Sequence, residues 1–251
     1  MTGSLSVKDL RVIVTGGARG IGGATARLLA EGGAHVLIAD VLDKEGAALA
    51  GELGANVAYR RLDVTSLSDW QAAVAFAEKA FGRVNALFNN AGILSIGGVA
   101  DCTPDDFRHV IDVNLHGIFL GIHAAVPALR RAGGGTIVNT SSTAGLQGYA
   151  GIAAYVASKW GVRGLTKAAA LDLAADGIRV VSVHPGPIAT PMIAGMTEEA
   201  VAAQPIRRFG EPDEVARMVR FILTEATFST GCEFVVDGGA VTGQVLPLPA
   251  N

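Results

Sequence analysis

Short apolar runs alternate with longer stretches in which apolar residues recur every three to four positions, from residue 11 to residue 236. The short runs predict strands at 11–15, 35–39, 57–61, 86–88, 136–139, 178–183 and 234–236. The longer stretches predict helices over 20–31, 44–53, 67–81, 104–129, 153–175 and 211–223. In the first helix Ile21, Ala24, Leu28 and Leu29 share one face. Thr103 and Asp101, ahead of Pro104, supply N-cap chemistry for the fourth.

Strands without polar alternation, each followed by a helix, predict an α/β fold with a parallel sheet covered on both faces. Seven such strands match the doubly wound, or Rossmann, arrangement. No Ser/Gly/Pro-rich linker divides the chain, so 1–251 reads as one domain. The stretch 189–208 breaks the rhythm; it holds Gly195, Glu198, Glu199 and Pro205 and reads as a substrate lid.

Composition narrows the function classes. Glycine is abundant, at 33 residues, but the glycines punctuate apolar runs where turns belong. A net charge of −3 lacks the positive footprint of a nucleic-acid binder. No apolar run approaches the roughly 20 residues of a membrane span, and the polar start 1–11 lacks the basic and apolar regions expected of a signal peptide. A cytoplasmic protein with neither membrane nor nucleic-acid partners is expected. Cys102 and Cys232 show no CxxC spacing and read as reduced thiols. His35, His109, His116 and His123 show no metal-ligand spacing, so no metal is expected. Trp70 and Trp160 read as packing or subunit-contact residues, and Arg207-Arg208 as a solvated turn.

The first strand runs into Thr15-Gly16-Gly17-Ala18-Arg19-Gly20-Ile21-Gly22, which opens the first helix. Glycines there permit a tight turn and close backbone approach to a pyrophosphate. The helix N-terminus offers free N–H groups to the same anion. Asp40 closes the second strand, where a carboxylate accepts both ribose hydroxyls of an adenosine and repels a 2′-phosphate. Asp63-Val64, after the third strand, is placed to meet the adenine. Asn89-Asn90-Ala91-Gly92 ends the fourth strand, where small residues let a ribose lie against the backbone. Strand after strand ends in a polar or small residue on the carboxyl rim, where open α/β sheets bind ligands.

Tyr155 and Lys159 stand at i and i+4 and share a helical face. A free phenol, with a pKa of about 10, is a poor acid–base group at neutral pH, and a neighbouring ammonium is expected to lower it. Ser142, thirteen residues before Tyr155, follows the fifth strand and can donate to a developing alkoxide. Asn114 lies inside a helix, where Asn is unfavourable by propensity, and its amide is expected to hold a water near Lys159.

In this order and spacing, TGxxxGIG at 15–22, Asp63-Val64, Asn89-Asn90-Ala91-Gly92, Asn114, Ser142, Tyr155/Lys159 and Pro185-Gly186 resemble the short-chain dehydrogenase/reductase family. Residues 38–43, 157–165, 184–186 and 236–239 are similar to its bacterial 3α(20β)-hydroxysteroid dehydrogenases. The resemblance implies that Tyr155 is the general acid/base and that Lys159 lowers its pKa and binds the nicotinamide ribose. It implies that Ser142 holds the substrate oxygen and Asn114 anchors a relay water. It further implies that the Ile188 backbone and Thr190 hydroxyl bind the carboxamide region, and that the protein is a homotetramer. In related tetramers a tail such as 244–251 reaches a neighbouring subunit.

Together these features predict an NAD(H)-dependent oxidoreductase of a secondary alcohol/ketone pair. NADP is disfavoured by Asp40, although Arg19 offers a cation to a phosphate. Pocket walls are expected from Leu94, Ser95 and Ile96, from Ala144, Leu146, Gln147 and Tyr149, and from Pro187, Met192 and Met196. These are mostly apolar and favour a bulky hydrophobic substrate such as a steroid, aryl or cyclic ketone. Two other readings are an NADPH-dependent 3-oxoacyl-carrier-protein reductase and a non-catalytic dinucleotide sensor. Asp40 and the net charge oppose the first; the presence of Asn114, Ser142, Tyr155 and Lys159 opposes the second.

Overall fold

A computed structural model describes residues 5–243. The tail 244–251, and with it the expected subunit contact, lies outside the described residues. Seven parallel strands form one sheet in the order β3-β2-β1-β4-β5-β6-β7. They are β1 (Arg11–Thr15), β2 (His35–Asp40), β3 (Val57–Arg61), β4 (Ala86–Asn89), β5 (Gly135–Thr140), β6 (Ile178–Pro185) and β7 (Glu233–Val236). The helices are α1 (Gly20–Glu31), α2 (Asp43–Leu53), α3 (Leu67–Phe81), α4 (Pro104–Ile111), α5 (Gly117–Arg131), α6 (Ala153–Leu173) and α7 (Pro212–Thr224).

The two-residue period of a strand divides the core between two layers. Ile13, Leu37, Leu87, Ile137 and Val180 face one side, with Trp70, Ile118, Leu129 and Val162 from the helices. Their strand neighbours Val12, Val36, Phe88, Val138 and Val181 face the other, with Ala26, Leu29, Val219 and Ile222. Both faces are therefore covered, which is why the strands lack polar alternation. Because the chain leaves β1 toward β2 and later returns to its other side as β4, the two strand ends diverge there. That crevice lies outside the carboxyl ends of β1 and β4.

Element positions follow the hydrophobic pattern, with informative differences. β2, β4 and β5 each extend to a polar residue, Asp40, Asn89 and Thr140, because the ladder bonds backbone groups regardless of side chain. β6 continues to Pro185, which brings His184 into the sheet. The last residues assigned to the 153–175 helix instead form a 3₁₀ turn, Ala174–Asp176, ended by the left-handed Gly177. In α1 the buried positions are Gly22, Gly23, Thr25, Ala26 and Leu29, whereas Ile21, Ala24 and Leu28 are half-buried. The helix packs on the sheet and on α7, and small residues occupy that close contact. Thr103 caps α4 by accepting from Asp106 N at 3.1 Å; Asp101 takes no part in the cap.

The stretch predicted as one helix from Pro104 is continuous to Arg131, but Asp112–His116 form a π-helical turn between α4 and α5. At 28 residues this helix is long and apolar enough to cross a membrane. It is not an uninterrupted apolar run, since Asp105, Asp106, Arg108, Asp112, Asn114, His116 and His123 fall within it. Half of its most apolar window is buried in this fold, so its apolar face serves the core. Trp70 is fully buried, with Nε1 donating to the Val64 carbonyl at 3.0 Å; Trp160 is exposed. Arg208 pairs with Glu214 at 2.8 Å.

The 189–208 segment carries only two short 3₁₀ turns, Pro191–Ile193 and Glu198–Val201. Its neck is pinned, with Ala189 N donating to Gly210 O at 2.8 Å and Gly210 N to Pro187 O at 2.9 Å.

Candidate active site

A cleft of about 670 Å³ opens at the carboxyl rim between β1 and β4. Gly16, Arg19, Gly20 and Ile21 line it at the glycine turn, and Asp40, Asp63 and Val64 line it at the ends of β2 and β3. Asn90, Ala91 and Gly92 follow after β4, then Tyr155 and Lys159, then Pro185, Gly186, Ile188 and Thr190. Residues separated by as much as the span from Gly16 to Thr190 thus meet around one cavity.

The glycine turn has no room for side chains. Gly16 adopts φ +58°, and a Cβ on Gly22 would lie 2.1 Å from the Gly16 carbonyl oxygen. The turn is stitched to β4 by Asn90, whose Nδ2 donates to Thr15 O at 3.1 Å and Gly16 O at 3.3 Å. Thr15, to which the sequence alone assigns no role, accepts from Asn90 N at 3.0 Å and Ala91 N at 3.1 Å through its hydroxyl. The Asp40 carboxylate is buried and fixed from two directions. Its Oδ2 accepts from Ala18 N at 3.0 Å and its Oδ1 from Leu42 N at 3.1 Å. Asp63 is held below the usual carboxylate range, first by the Thr65 hydroxyl and then by the Thr65 N–H. His109 of α4, given no role from sequence, also lines the cleft.

At the other end, Lys159 is buried and its Nζ donates to the Thr140 carbonyl at 2.8 Å. Burial pushes its pKa down to about 8. The ammonium lies 5.4 Å from the centre of the Tyr155 ring. Burial raises the Tyr155 phenol above its ordinary value, and the Ser142 hydroxyl counters it. This direction is opposite to the one expected from the ammonium alone, because the lost solvation of a phenolate outweighs its neighbours. Ser142 is half-buried; its Oγ accepts from Ala144 N at 3.1 Å and donates to Pro185 O at 3.5 Å.

Asn114 lies in the π turn and is fully buried. Its Oδ1 accepts from Ile93 N at 2.8 Å, and its Nδ2 donates to Ile93 O at 2.9 Å and Ser158 Oγ at 3.1 Å. Both amide protons are spent within the protein, and the side chain staples α4–α5 to the segment after β4.

The expected substrate walls are only partly assembled. Leu94 and Met192 line the cleft. Ala144 is buried beneath the Ser142 turn, away from the cavity surface. Ile96, Tyr149 and Met196 are exposed, and Leu146, Ser95, Gln147 and Pro187 are half-buried outside the cleft lining. The Tyr149 hydroxyl is occupied, donating to Thr143 Oγ1 at 3.1 Å and accepting from Gln147 Nε2 at 2.8 Å.

Comparison with known proteins bears on this geometry. A family model described as Enoyl-(Acyl carrier protein) reductase matches residues 16–241. A 3-alpha-(or 20-beta)-hydroxysteroid dehydrogenase of Mycobacterium bovis is 46% identical over 232 residues, covering 92% of this chain and 89% of the relative. The chain belongs to the short-chain dehydrogenase/reductase family. A trans-4-hydroxycyclohexanecarboxylate dehydrogenase of Sinomonas cyclohexanicum is 45% identical over 250 residues, 96% of each chain. A cyclohexanol dehydrogenase of Acinetobacter sp. is 47% identical over 232 residues, 90% of this chain and 92% of the relative. Membership implies a nicotinamide dinucleotide cofactor. The residues present fit such a group: a turn in which a Cβ on Gly22 would collide, and a fixed carboxylate at Asp40 on the same cleft wall.

Proposed function

We propose that this protein is an NAD(H)-dependent oxidoreductase that interconverts a secondary alcohol and a ketone on a hydrophobic, ring-bearing molecule. The observation that carries this reading is the convergence of Tyr155 and Lys159 on one cleft with Asp40 at its other end, Ser142 lying beside the phenol. When bound, the nicotinamide supplies the acceptor or donor of a hydride. The glycine turn takes the pyrophosphate against backbone N–H groups, and Asp40 accepts from the adenosine ribose. Its two backbone bonds leave lone pairs on each oxygen for ribose hydroxyls. A 2′-phosphate would instead face an anion that cannot swing aside.

The chain's own residues handle the proton. Tyr155, with its pKa raised, is protonated at neutral pH and donates to the oxygen of a carbonyl being reduced. Ser142 Oγ holds that oxygen and stabilises negative charge developing on it. Lys159 holds the ribose side of the site and keeps positive charge near the phenol. The 189–208 segment closes over the substrate from its pinned neck. Leu94, Met192 and Ile193 supply apolar contact. The relatives named for hydroxysteroids and for cyclohexanol support this substrate class. The assembled protein is a homotetramer on this reading.

The test is consumption of NADH by the purified protein with a panel of cyclohexanone, a steroid ketone and an aryl ketone. Turnover with at least one is expected; NADH binding without consumption of NADH or NADPH would overturn the reading in favour of a sensor.

A further inference from the structure

His184 is fully buried, yet nothing in the proposed chemistry uses it. Its place in the sheet explains why an imidazole stands there. β5 and β6 pair in parallel up to Thr140 opposite Val183, and Ser141 N then donates to Val183 O at 2.9 Å. In a parallel ladder the next rung would run from the N–H of residue 185 to the Ser141 carbonyl. Residue 185 is proline and has no N–H. The ladder therefore stops one residue short of Ser142.

The imidazole reaches across that gap. His184 Nδ1 lies 3.1 Å from the Ser142 carbonyl oxygen, and Nε2 lies 2.8 Å from Ser182 Oγ. A carbonyl only accepts, so Nδ1 carries the proton; in the neutral ring Nε2 then accepts from the Ser182 hydroxyl. Burial lowers the pKa of the ring, against the bond to Ser142, and keeps this neutral tautomer in place. The same segment that His184 grips sets the direction of the Ser142 side chain. Ser142 is extended, at φ −171° and ψ 168°, and its Oγ is aimed by the short bond from Ala144 N and the long one to Pro185 O.

We propose that His184 is a positioning residue for Ser142, supplying through Nδ1–H an interstrand bond to the Ser142 carbonyl, one residue beyond the point where Pro185 ends the backbone ladder. The proposal rests on Ser142 being the group that holds the substrate oxygen. Ser182 is its second layer, orienting the ring and fixing its tautomer.

The experiment is a double-mutant cycle on full-length protein, reading kcat and KM for cyclohexanone with NADH, and the NADH Kd by fluorescence titration. Ser142→Ala is expected to lower kcat about 100-fold, as loss of one oxyanion donor does. His184→Leu is expected to lower kcat by about ten- to a hundredfold with the NADH Kd within about twofold, and His184→Asn, which keeps a donor at the Nδ1 position, to recover most of the loss. In the Ser142→Ala background, His184→Leu is expected to change kcat by less than about twofold, because the group it positions is gone. Losses that multiply in the double variant, or wild-type kcat in a folded His184→Leu, would overturn the proposal. Should His184→Leu fail to fold, Ser182→Ala carries the same cycle, with a smaller kcat loss that vanishes in the Ser142→Ala background. A multiplying loss there overturns the proposal equally. Unchanged kcat in Ser142→Ala alone would remove Ser142 from the chemistry, a failure of the proposed function recognisable before any His184 variant is measured.

Discussion

Lys159 holds its ammonium 5.4 Å from the centre of the Tyr155 ring while its hydrogen bond runs to the Thr140 carbonyl. The charge is thus anchored to the end of β5, beside the Tyr155 ring. Anchoring a buried cation by one carbonyl has a cost in stability, and that cost depends on pH.

Burial brings Lys159 down to about 8 from an ordinary value of 10.5. Below pH 8 both folded and unfolded chains carry the proton, and the fold bears the whole penalty, about 3 kcal/mol. Between 8 and 10.5 the folded chain releases its proton first and the penalty shrinks; above 10.5 it is gone. Lys159→Met removes the charge and leaves the Thr140 carbonyl unpaired, at about 1 kcal/mol. The variant is therefore expected to be more stable than wild type at pH 7, by about 2 kcal/mol, and to lose that advantage by pH 10. Thermal unfolding of both proteins across this range checks it; a difference in Tm that stays constant with pH would contradict a charged Lys159 in the fold.

Tyr155→Phe is expected to lower kcat at least about 100-fold while leaving the NADH Kd within about twofold, since on the proposed reading Tyr155 also lies against the cofactor but its hydroxyl contributes little to holding it. In the wild type, the raised phenol predicts that ketone reduction is flat from pH 6 to pH 8. Alcohol oxidation, which needs the phenolate, rises with pH through the same range. Initial rates in both directions as a function of pH decide the matter. Oxidation that falls as pH rises would assign the proton to another group.

Asp40 predicts the choice of dinucleotide. Two unit charges 4 Å apart repel by about 4 kcal/mol at an effective dielectric of 20; with solvent at the rim, roughly 2–3 kcal/mol, or 30- to 150-fold, is expected. Arg19 is exposed and offsets about 0–1 kcal/mol of this at most. NADH should therefore be preferred over NADPH in kcat/KM, and Asp40→Ala should narrow the gap mainly by weakening NADH. An unchanged ratio in the variant would place the ribose elsewhere.

Leu94, Met192 and Ile193 predict selection by apolar contact. Cyclohexanone is expected to exceed pyruvate in kcat/KM by about 100-fold, the worth of two or so buried methylenes and an unpaired carboxylate. Comparable values for the two would mean that a cation reaches the substrate.

The sheet and one half of the site are legible in the sequence because their signals are local. An all-apolar run predicts a doubly covered strand wherever it lies, and Asp40 follows its strand as directly as Gly16 precedes its helix. What is not legible depends on pairs brought together only by folding. Lys159 finds Thr140, Asn114 finds Ile93 and Ser158, and Thr15 finds Asn90. Helix propensity marks Asn114 as an oddity, but not the π turn that carries it, since nothing in residue type distinguishes that turn from the helix around it. The substrate walls are least legible. Nearness to Ser142 in the chain suggests a place facing the substrate, yet Ala144 turns inward and Tyr149 is tied to Thr143.

The π turn at Asp112–His116 also sets the rotational phase of α5. One residue of an α-helix is worth about 100° of rotation, so a single extra residue wound into the helix turns α5 by that angle relative to α4. In its present phase α5 points Gly117 at Val64 and Gly121 at Trp70 and Asn89, where a Cβ would come within 2.9 Å and 2.6 Å of those side chains. Remove one residue from the turn and the two glycines would rotate away while bulkier neighbours swung into the same narrow gap. The length of this helix is thus not interchangeable with its angle. An insertion or deletion here would be felt along the whole of α5, although its total residue count would differ by one.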